Sequence, residues 1–238
     1  MLVTEVVPRS LQATDAAADA GRAWLRERYR LDERPSVRLN MVTNLTGAAA
    51  GSDGTSDTLT SRVDRTVLGA IRAHADVVLV GAQSVRAEGY VVPKATRLAI
   101  VTGSARLDGH RLRIDPQADP DRVMLVVPEA LAPIAAQRAG LAGVRVLGVP
   151  GSGRLDPRAI LAALAAEGLA RVVCEGGPTL AAQFAAAGVI DEFCITVAPA
   201  IGPAPQPFLP VDAGVRTEVA GMLVDEAGFS YLRLRATR

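Results

Sequence analysis

The chain has 238 residues, 49% of them apolar and only 3% aromatic, so it can bury a core built from Val, Leu, Ile and Ala. Its 26 basic and 25 acidic side chains balance to +1, which gives no electrostatic case for nucleic acid or an acidic membrane as partner. Cys174 and Cys194 both sit in apolar runs and no C-x-x-C pair occurs, so buried reduced thiols are expected rather than a disulfide framework or a structural zinc site.

The first residues, MLVTEVVPRS, lack the pattern of a signal peptide, and no run of about 18 apolar residues suggests a membrane span. A cytoplasmic protein is expected. Residues 1–33 read as an arm plus one helix. ATDAAADAGRAWLRERYR carries Asp15 near its start and arginines at its end, the polarity that a helix dipole favours. Trp24 and Arg28 lie four apart, close enough for the guanidinium to stack on the indole. Arg34-Pro35 closes the segment, because proline disfavours helix in the residue before it.

Strands and helices then alternate. VRLNMV (37–42) reads as a strand, and the stripe Val63, Val67, Leu68, Ile71 in 61–75 as a helix. DVVLVGA (76–82) is a continuous apolar run, the mark of a strand buried on both faces, and 97–103 and 122–128 repeat it, while 144–150 reads as another strand. The segment 128–140 is expected to be helical. DPRAILAALAAEG (156–168) has Asp156 at the N-cap, Pro157 at the first position and Gly168 past the end. RVVCEGG and PTLAAQFAAAG form the next strand and helix. DEFCITVAP (191–199) and FSYLRLRA (229–236) are strands with no helix between them, and the alternation of the second suits an antiparallel edge. The expected fold is α/β, a mostly parallel, doubly wound sheet with antiparallel C-terminal strands.

Three strands end in glycine. After 171–174 come Glu175, Gly176, Gly177, Pro178 and Thr179, then a helix. Open α/β sheets bind ligands at the carboxyl ends of strands. Glycines let backbone approach a ligand, and a helix start with free N–H groups suits a diphosphate. The same five residues also describe a tight turn with nothing bound. The strand at 76–82 ends in Gly81 with Ser84 following. The strand at 97–103 ends in Thr102, Gly103, Ser104 and Arg106, hydroxyls and a guanidinium of the kind that hold a ribose 2′-phosphate, or simply a capped loop. No G-x-G-x-x-G follows any strand, so an ordinary dinucleotide fingerprint is not supported.

The segments RPSVRLNMVTNLTG (34–47), DGTSDTLTS (53–61), IRAHADVVLVGAQSVRAEG (71–89), LAIVTGSARLD (98–108), VVCEGGPTLAAQF (172–184) and VIDEFCITVAPAIG (189–202) together resemble the reductase domain of the riboflavin-pathway deaminase–reductase family, which shares the dihydrofolate reductase fold. The likeness is greatest to its stand-alone actinobacterial branch and runs from about 34 to 235, making 34–238 the reductase domain. It implies NADPH as cofactor and hydride transfer to a C=N carbon of 5-amino-6-(5-phosphoribosylamino)uracil, or of a related pyrimidine or pteridine such as dihydrofolate. It also implies a homodimer. A non-catalytic NADPH-binding paralogue is the alternative of another class. By resemblance, Gly81 and Ser84 line the nicotinamide side, Thr102, Ser104 and Arg106 face the 2′-phosphate, and Gly176, Gly177, Pro178, Thr179 and Leu180 hold the pyrophosphate. Substrate contacts come from Asn40, Ser56, Arg72, Glu88 and Glu175, with Glu175 and Glu88 as the catalytic carboxylates. The deaminase half's H-x-E and P-C-x-x-C zinc motif does not occur, so no deaminase activity is expected.

The chain departs from the family pattern at three places. The S-L-D-G of the family is Asn44, Leu45, Thr46, Gly47, so Thr46 replaces an acid. The D-D-P or D-N-P after the second strand is Glu88, Gly89, Tyr90. The arginine that helps bind the substrate phosphate has only Lys94 and Arg97 as candidates.

Overall fold

The computed structural model describes residues 1–31, 35–114, 122–141, 143–204 and 206–237; Arg34, and with it the expected boundary at 33/34, lies outside them. Eleven strands form one sheet among the described residues, in the order β2-β1-β10-β11-β9-β3-β8-β4-β5-β6-β7. The strands are β1 (Leu2–Val7), β2 (Ala13–Asp15), β3 (Ser36–Asn44), β4 (Val77–Gly81), β5 (Arg97–Val101), β6 (Val123–Pro128), β7 (Arg145–Val149), β8 (Arg171–Cys174), β9 (Glu192–Ala198), β10 (Thr217–Asp225) and β11 (Ser230–Ala236). From β9 to β7 every neighbouring pair is parallel; from β2 to β9 every pair is antiparallel.

The continuous apolar runs do become parallel strands covered on both faces. All six residues of β6 are buried, as are the first four of β4. Successive side chains point to opposite faces. Leu79, Ala99, Met124 and Cys174 therefore pack with Ile160, Leu164, Ala181 and Phe184 of α5 (Pro157–Ala166) and α6 (Pro178–Ala186). On the other face, Val78, Val80, Leu98 and Ile100 meet Val85 of α3 (Ala82–Ala87) and Ala135 of α4 (Ala135–Ala139). Val173 and Cys194 pack there against Leu25 of α1 (Asp19–Arg28) and Val63, Val67 and Ile71 of α2 (Arg62–Arg72). The Asp156 side chain caps α5, accepting from the Arg158 N–H, with Pro157 at the first position as expected. Both cysteines are buried thiols, and burial pushes each up to about 12.

Three expectations change. The strand 229–236 is not an edge: β11 lies between β10 and β9. Its alternation reflects polar partners on one face, not an open side. Arg233 donates to Glu192 at 2.8 Å and lies over the Tyr29 ring at 5.4 Å. The second change is β10, which the sequence hid because the register shifts between Val219 and Gly221 and breaks the period. The third is the N-terminal arm, which supplies β1 and β2 to the same sheet, β1 pairing with β10. The Trp24–Arg28 stack forms as expected, with the guanidinium 4.3 Å from the ring centroid. The segment 128–140 is helical in two parts, a 3-10 turn over Glu129–Ile134 and then α4.

Candidate active site

The three glycine-bearing strand ends stand side by side, because β8, β4 and β5 are neighbours in the sheet. The Glu175 N–H donates to the Leu79 carbonyl at 2.9 Å, carrying β8 one residue past its last ladder pair. Gly176 then turns at φ +79°, a conformation that L side chains rarely adopt, and its carbonyl accepts from the Gly81 N–H at 2.6 Å. The Gly176–Gly177 peptide is cis. A Cβ added to Gly177 would lie 2.9 Å from Ser84 Oγ, so the turn and the start of α3 meet at van der Waals contact. Pro178 opens α6 and no side chain caps it. The first-turn N–H groups there have no intrahelical acceptor.

Beside this turn lies a cavity of about 270 Å³, lined by residues of β3, α2, α3, the 49–60 segment and the 175–178 turn. It holds all five expected substrate contacts, Asn40, Ser56, Arg72, Glu88 and Glu175, and three of the expected cofactor residues, Ser84, Gly177 and Pro178. Thr102, Ser104 and Arg106 follow β5, one strand further along, outside that cavity. There Thr102 is buried and donates to the Arg106 carbonyl at 3.4 Å, Ser104 Oγ accepts from the Arg106 N–H, and the exposed Arg106 guanidinium is 3.8 Å from Asp108. The turn is held tightly: a Cβ on Gly103 would sit 1.9 Å from the Gly153 carbonyl oxygen. Gly81, Gly176, Thr179 and Leu180 are also outside the cavity; Gly81 and Gly176 meet through their backbone bond, and Leu180 belongs to the core.

The two expected carboxylates differ in surroundings. Glu175 does not bond its own turn. Arg72 Nε donates to Oε1 at 2.7 Å and Nη2 to Oε2 at 2.6 Å, and the Tyr90 hydroxyl donates to the same Oε2. Charge-assisted paired bonds of this kind are the strong ones. Burial works against the Arg72 charge, yet the Glu175 carboxylate outweighs it and holds the guanidinium protonated. Arg72 is thus neither a solvated helix charge nor a free anion anchor. Glu88 accepts one N–H bond, from Ser56 at 3.3 Å. Burial, with Asp57 and Glu175 as like charges, pushes its carboxyl above the usual range.

Three charged residues of the cavity escaped the sequence reading, Asp57, Asp64 and Arg65. Asp64 on α2 is 9% exposed; Thr196 Oγ1 donates to its Oδ1 at 2.7 Å, and burial raises it to about 6. In sequence Asp64 looks like an ordinary capping residue, since its N–H does donate to Ser61 Oγ at 3.0 Å. Arg65, the next residue, lines the mouth. Lys94 and Arg97 do not line the cavity, and Arg97 opens β5 at the opposite edge of the sheet, its N–H donating to Asp76. Thr46 is turned away: its hydroxyl donates to the Gly202 carbonyl at 2.6 Å.

Comparisons with known proteins agree with this architecture. The family model described as RibD C-terminal domain matches residues 35–227. A pyrimidine reductase-like protein from Corynebacterium diphtheriae superposes with a TM-score of 0.72 at 22% identity, covering 86% of this chain and 92% of that one. The riboflavin biosynthesis reductase of Saccharomyces cerevisiae gives 0.69 at 18% identity, covering 90% and 98%. RibD of Acinetobacter baumannii gives 0.65 at 22% identity; 86% of this chain matches 59% of that longer protein. No curated protein sequence gives a significant match. With the match spanning the parallel part of the sheet and the cavity, the chain belongs to the RibD C-terminal domain family, the reductases of riboflavin biosynthesis.

Proposed function

We propose that the protein is an NADPH-dependent reductase acting on a C=N carbon of an aminopyrimidine or pteridine, the family's 5-amino-6-(5-phosphoribosylamino)uracil being the reference substrate. The observation that carries this is the adjacency of three glycine-bearing strand ends to a cavity lined by four carboxylates, Asp57, Asp64, Glu88 and Glu175. The residues present fit the cofactor. Gly176, Gly177, Pro178, Thr179 and Leu180 form an uncapped helix start for the diphosphate. Gly81 and Ser84 border the nicotinamide side, and Thr102, Ser104 and Arg106 supply hydroxyls and a guanidinium for the 2′-phosphate. When bound, NADPH supplies the hydride.

The chain's own residues do the rest. Adding hydride to the carbon of a C=N bond leaves the nitrogen needing a proton, and Glu88 retains one to higher pH than an exposed glutamate does. The Arg72–Glu175–Tyr90 cluster fixes the wall behind it, so a ring in the cavity has one orientation. Asn40 and Ser56 offer polar groups at its rim. The deciding experiment is NADPH oxidation measured with the ribosylaminopyrimidine and with dihydrofolate. Turnover of either supports the reading; tight NADPH binding with neither oxidised selects the non-catalytic paralogue. We also expect a homodimer, which light scattering in solution checks.

A further inference from the structure

A second cavity, of about 700 Å³, opens at the edge of the sheet opposite the glycine turns, where β3, β8 and β9 begin and β11 ends. Its charges are uneven. Of its described lining residues Arg30, Arg38, Arg233 and Arg235 are basic, and only Asp191 and Glu192 are acidic. Arg38 and Arg233 converge on one carboxylate: Arg38 Nη2 stands 2.7 Å from Glu192 Oε1, and Arg233 Nη2 donates to Oε2 at 2.8 Å. Burial works against the Glu192 charge, but the two guanidiniums outweigh it and hold the carboxyl below the usual range. The trio therefore carries a net positive charge, at a depth where Arg38 is 1% exposed. Asp191 joins neither guanidinium; its Oδ2 accepts from the Val37 N–H at 2.9 Å. A buried charge in excess is costly until a counter-charge meets it.

The polar atoms there are also incompletely bonded. Arg38 Nε and Ser36 Oγ are buried without a hydrogen-bond partner, and both residues line the cavity. Arg30 and Arg235 stand at the mouth with side chains 68% and 60% exposed, paired only with Glu27 at 3.5 Å and Glu218 at 3.4 Å among the described residues. Exposed pairs of that kind are weak and yield to a better-placed anion. Across from the arginines the lining is apolar, with Leu161 and Ala165 of α5, Leu169, and Val172 of β8. A cavity of this size, with apolar sides and a few convergent charged groups, has the make-up of a small-molecule site.

We infer that this cavity is a second ligand site, one that takes a small molecule with an oxyanion head, phosphate or carboxylate, on an apolar body. Arg30 and Arg235 bond the head, Arg38 and Arg233 beneath them supply the field that draws it in, and the α5 side covers the body. The site is separate from the cavity of Glu88 and Glu175, and the inference does not depend on the reductase reading.

Calorimetry on the full chain tests this, with phenyl phosphate and benzoate as probes and benzyl alcohol as the uncharged control. At least one anionic probe is expected to bind about tenfold more tightly than benzyl alcohol, and the tighter of the two identifies the head group. Arg30→Ala with Arg235→Ala should weaken that probe about tenfold, through loss of charge-assisted bonds, while Arg106→Ala beside β5 leaves it unchanged. Both mouth arginines are exposed, so the double variant should keep its Tm. Arg235→Gln, which retains the length of the side chain, is the second variant and should show part of the same loss. Three results overturn the inference: neither anion binds below about 10 mM, the double variant binds as the parent does, or Arg106→Ala loses the probe as the double variant does. The last would put the anion at the turn after β5 instead.

Discussion

Arg72 and Glu175, 103 residues apart in sequence, meet through two hydrogen bonds of 2.7 and 2.6 Å that tie the end of α2 to the end of β8. The Glu175 side chain is 8% exposed and that of Arg72 23%, so the pair is largely shielded from water. Removing one partner leaves the other charge buried. Arg72→Met should therefore cost about 3 kcal/mol of stability, and Arg72→Met with Glu175→Gln should recover part of it. Urea unfolding of the two single variants and the double variant measures the coupling.

A second expectation concerns the turn. Gly177→Val places side-chain atoms where Ser84 Oγ stands 2.9 Å from the Cβ position. NADPH should then no longer raise Tm, while the far-ultraviolet circular dichroism keeps its native shape. An undiminished Tm shift would show that this backbone is not the diphosphate seat.

Cofactor choice follows from the turn after β5. Arg106 is exposed and its contact with Asp108 is long, 3.8 Å, leaving it available to an anion. NADPH should bind more tightly than NADH. Arg106→Ala should reduce that preference by about tenfold, the effect of losing a charge-assisted bond worth about 1.5 kcal/mol. Dissociation constants for the two cofactors, from tryptophan or cofactor fluorescence, decide it.

Asp64 makes a pH-dependent contribution with a definite sign. Its folded pKa of about 6 lies above the unfolded value for aspartate, because burial disfavours the charged form. The native state thus binds the proton more readily than the unfolded chain between about pH 4 and 6. The stability contributed by the protonated form is present below pH 4 and is lost as pH rises to about 6, a change of about 2 kcal/mol. Asp64→Asn should abolish that part of the slope and make the protein more stable at pH 7.5. Urea midpoints from pH 4 to 7.5 for both proteins report it.

Much of this site was readable in the chain because its backbone parts leave local marks. A continuous apolar run followed by glycine located β4 at Gly81, β5 before Gly103 and β8 before Gly176. Those ends proved to be neighbours because parallel strands buried on both faces occupy the middle of such a sheet. Side-chain partners leave no such mark. Asp64 and Arg65 look like any helix start, and Tyr90 like a loop residue; only the docking of α2 and the 88–92 segment against β8 brings them to the cavity. The strands β1, β2 and β10 were missed for a related reason. Short, half-exposed or bulged strands lack the full period, and their partners are supplied by distant parts of the chain.

The place of β3 has a consequence for how the protein comes into being. It sits between β8 and β9, whose residues follow it by more than a hundred positions. During synthesis, the strand bearing Asn40 therefore waits without either lateral partner until most of the polypeptide has emerged. Assembly of the candidate site is a late, cooperative event governed by long-range pairing, and a slow-folding protein prone to edge association while incomplete is expected.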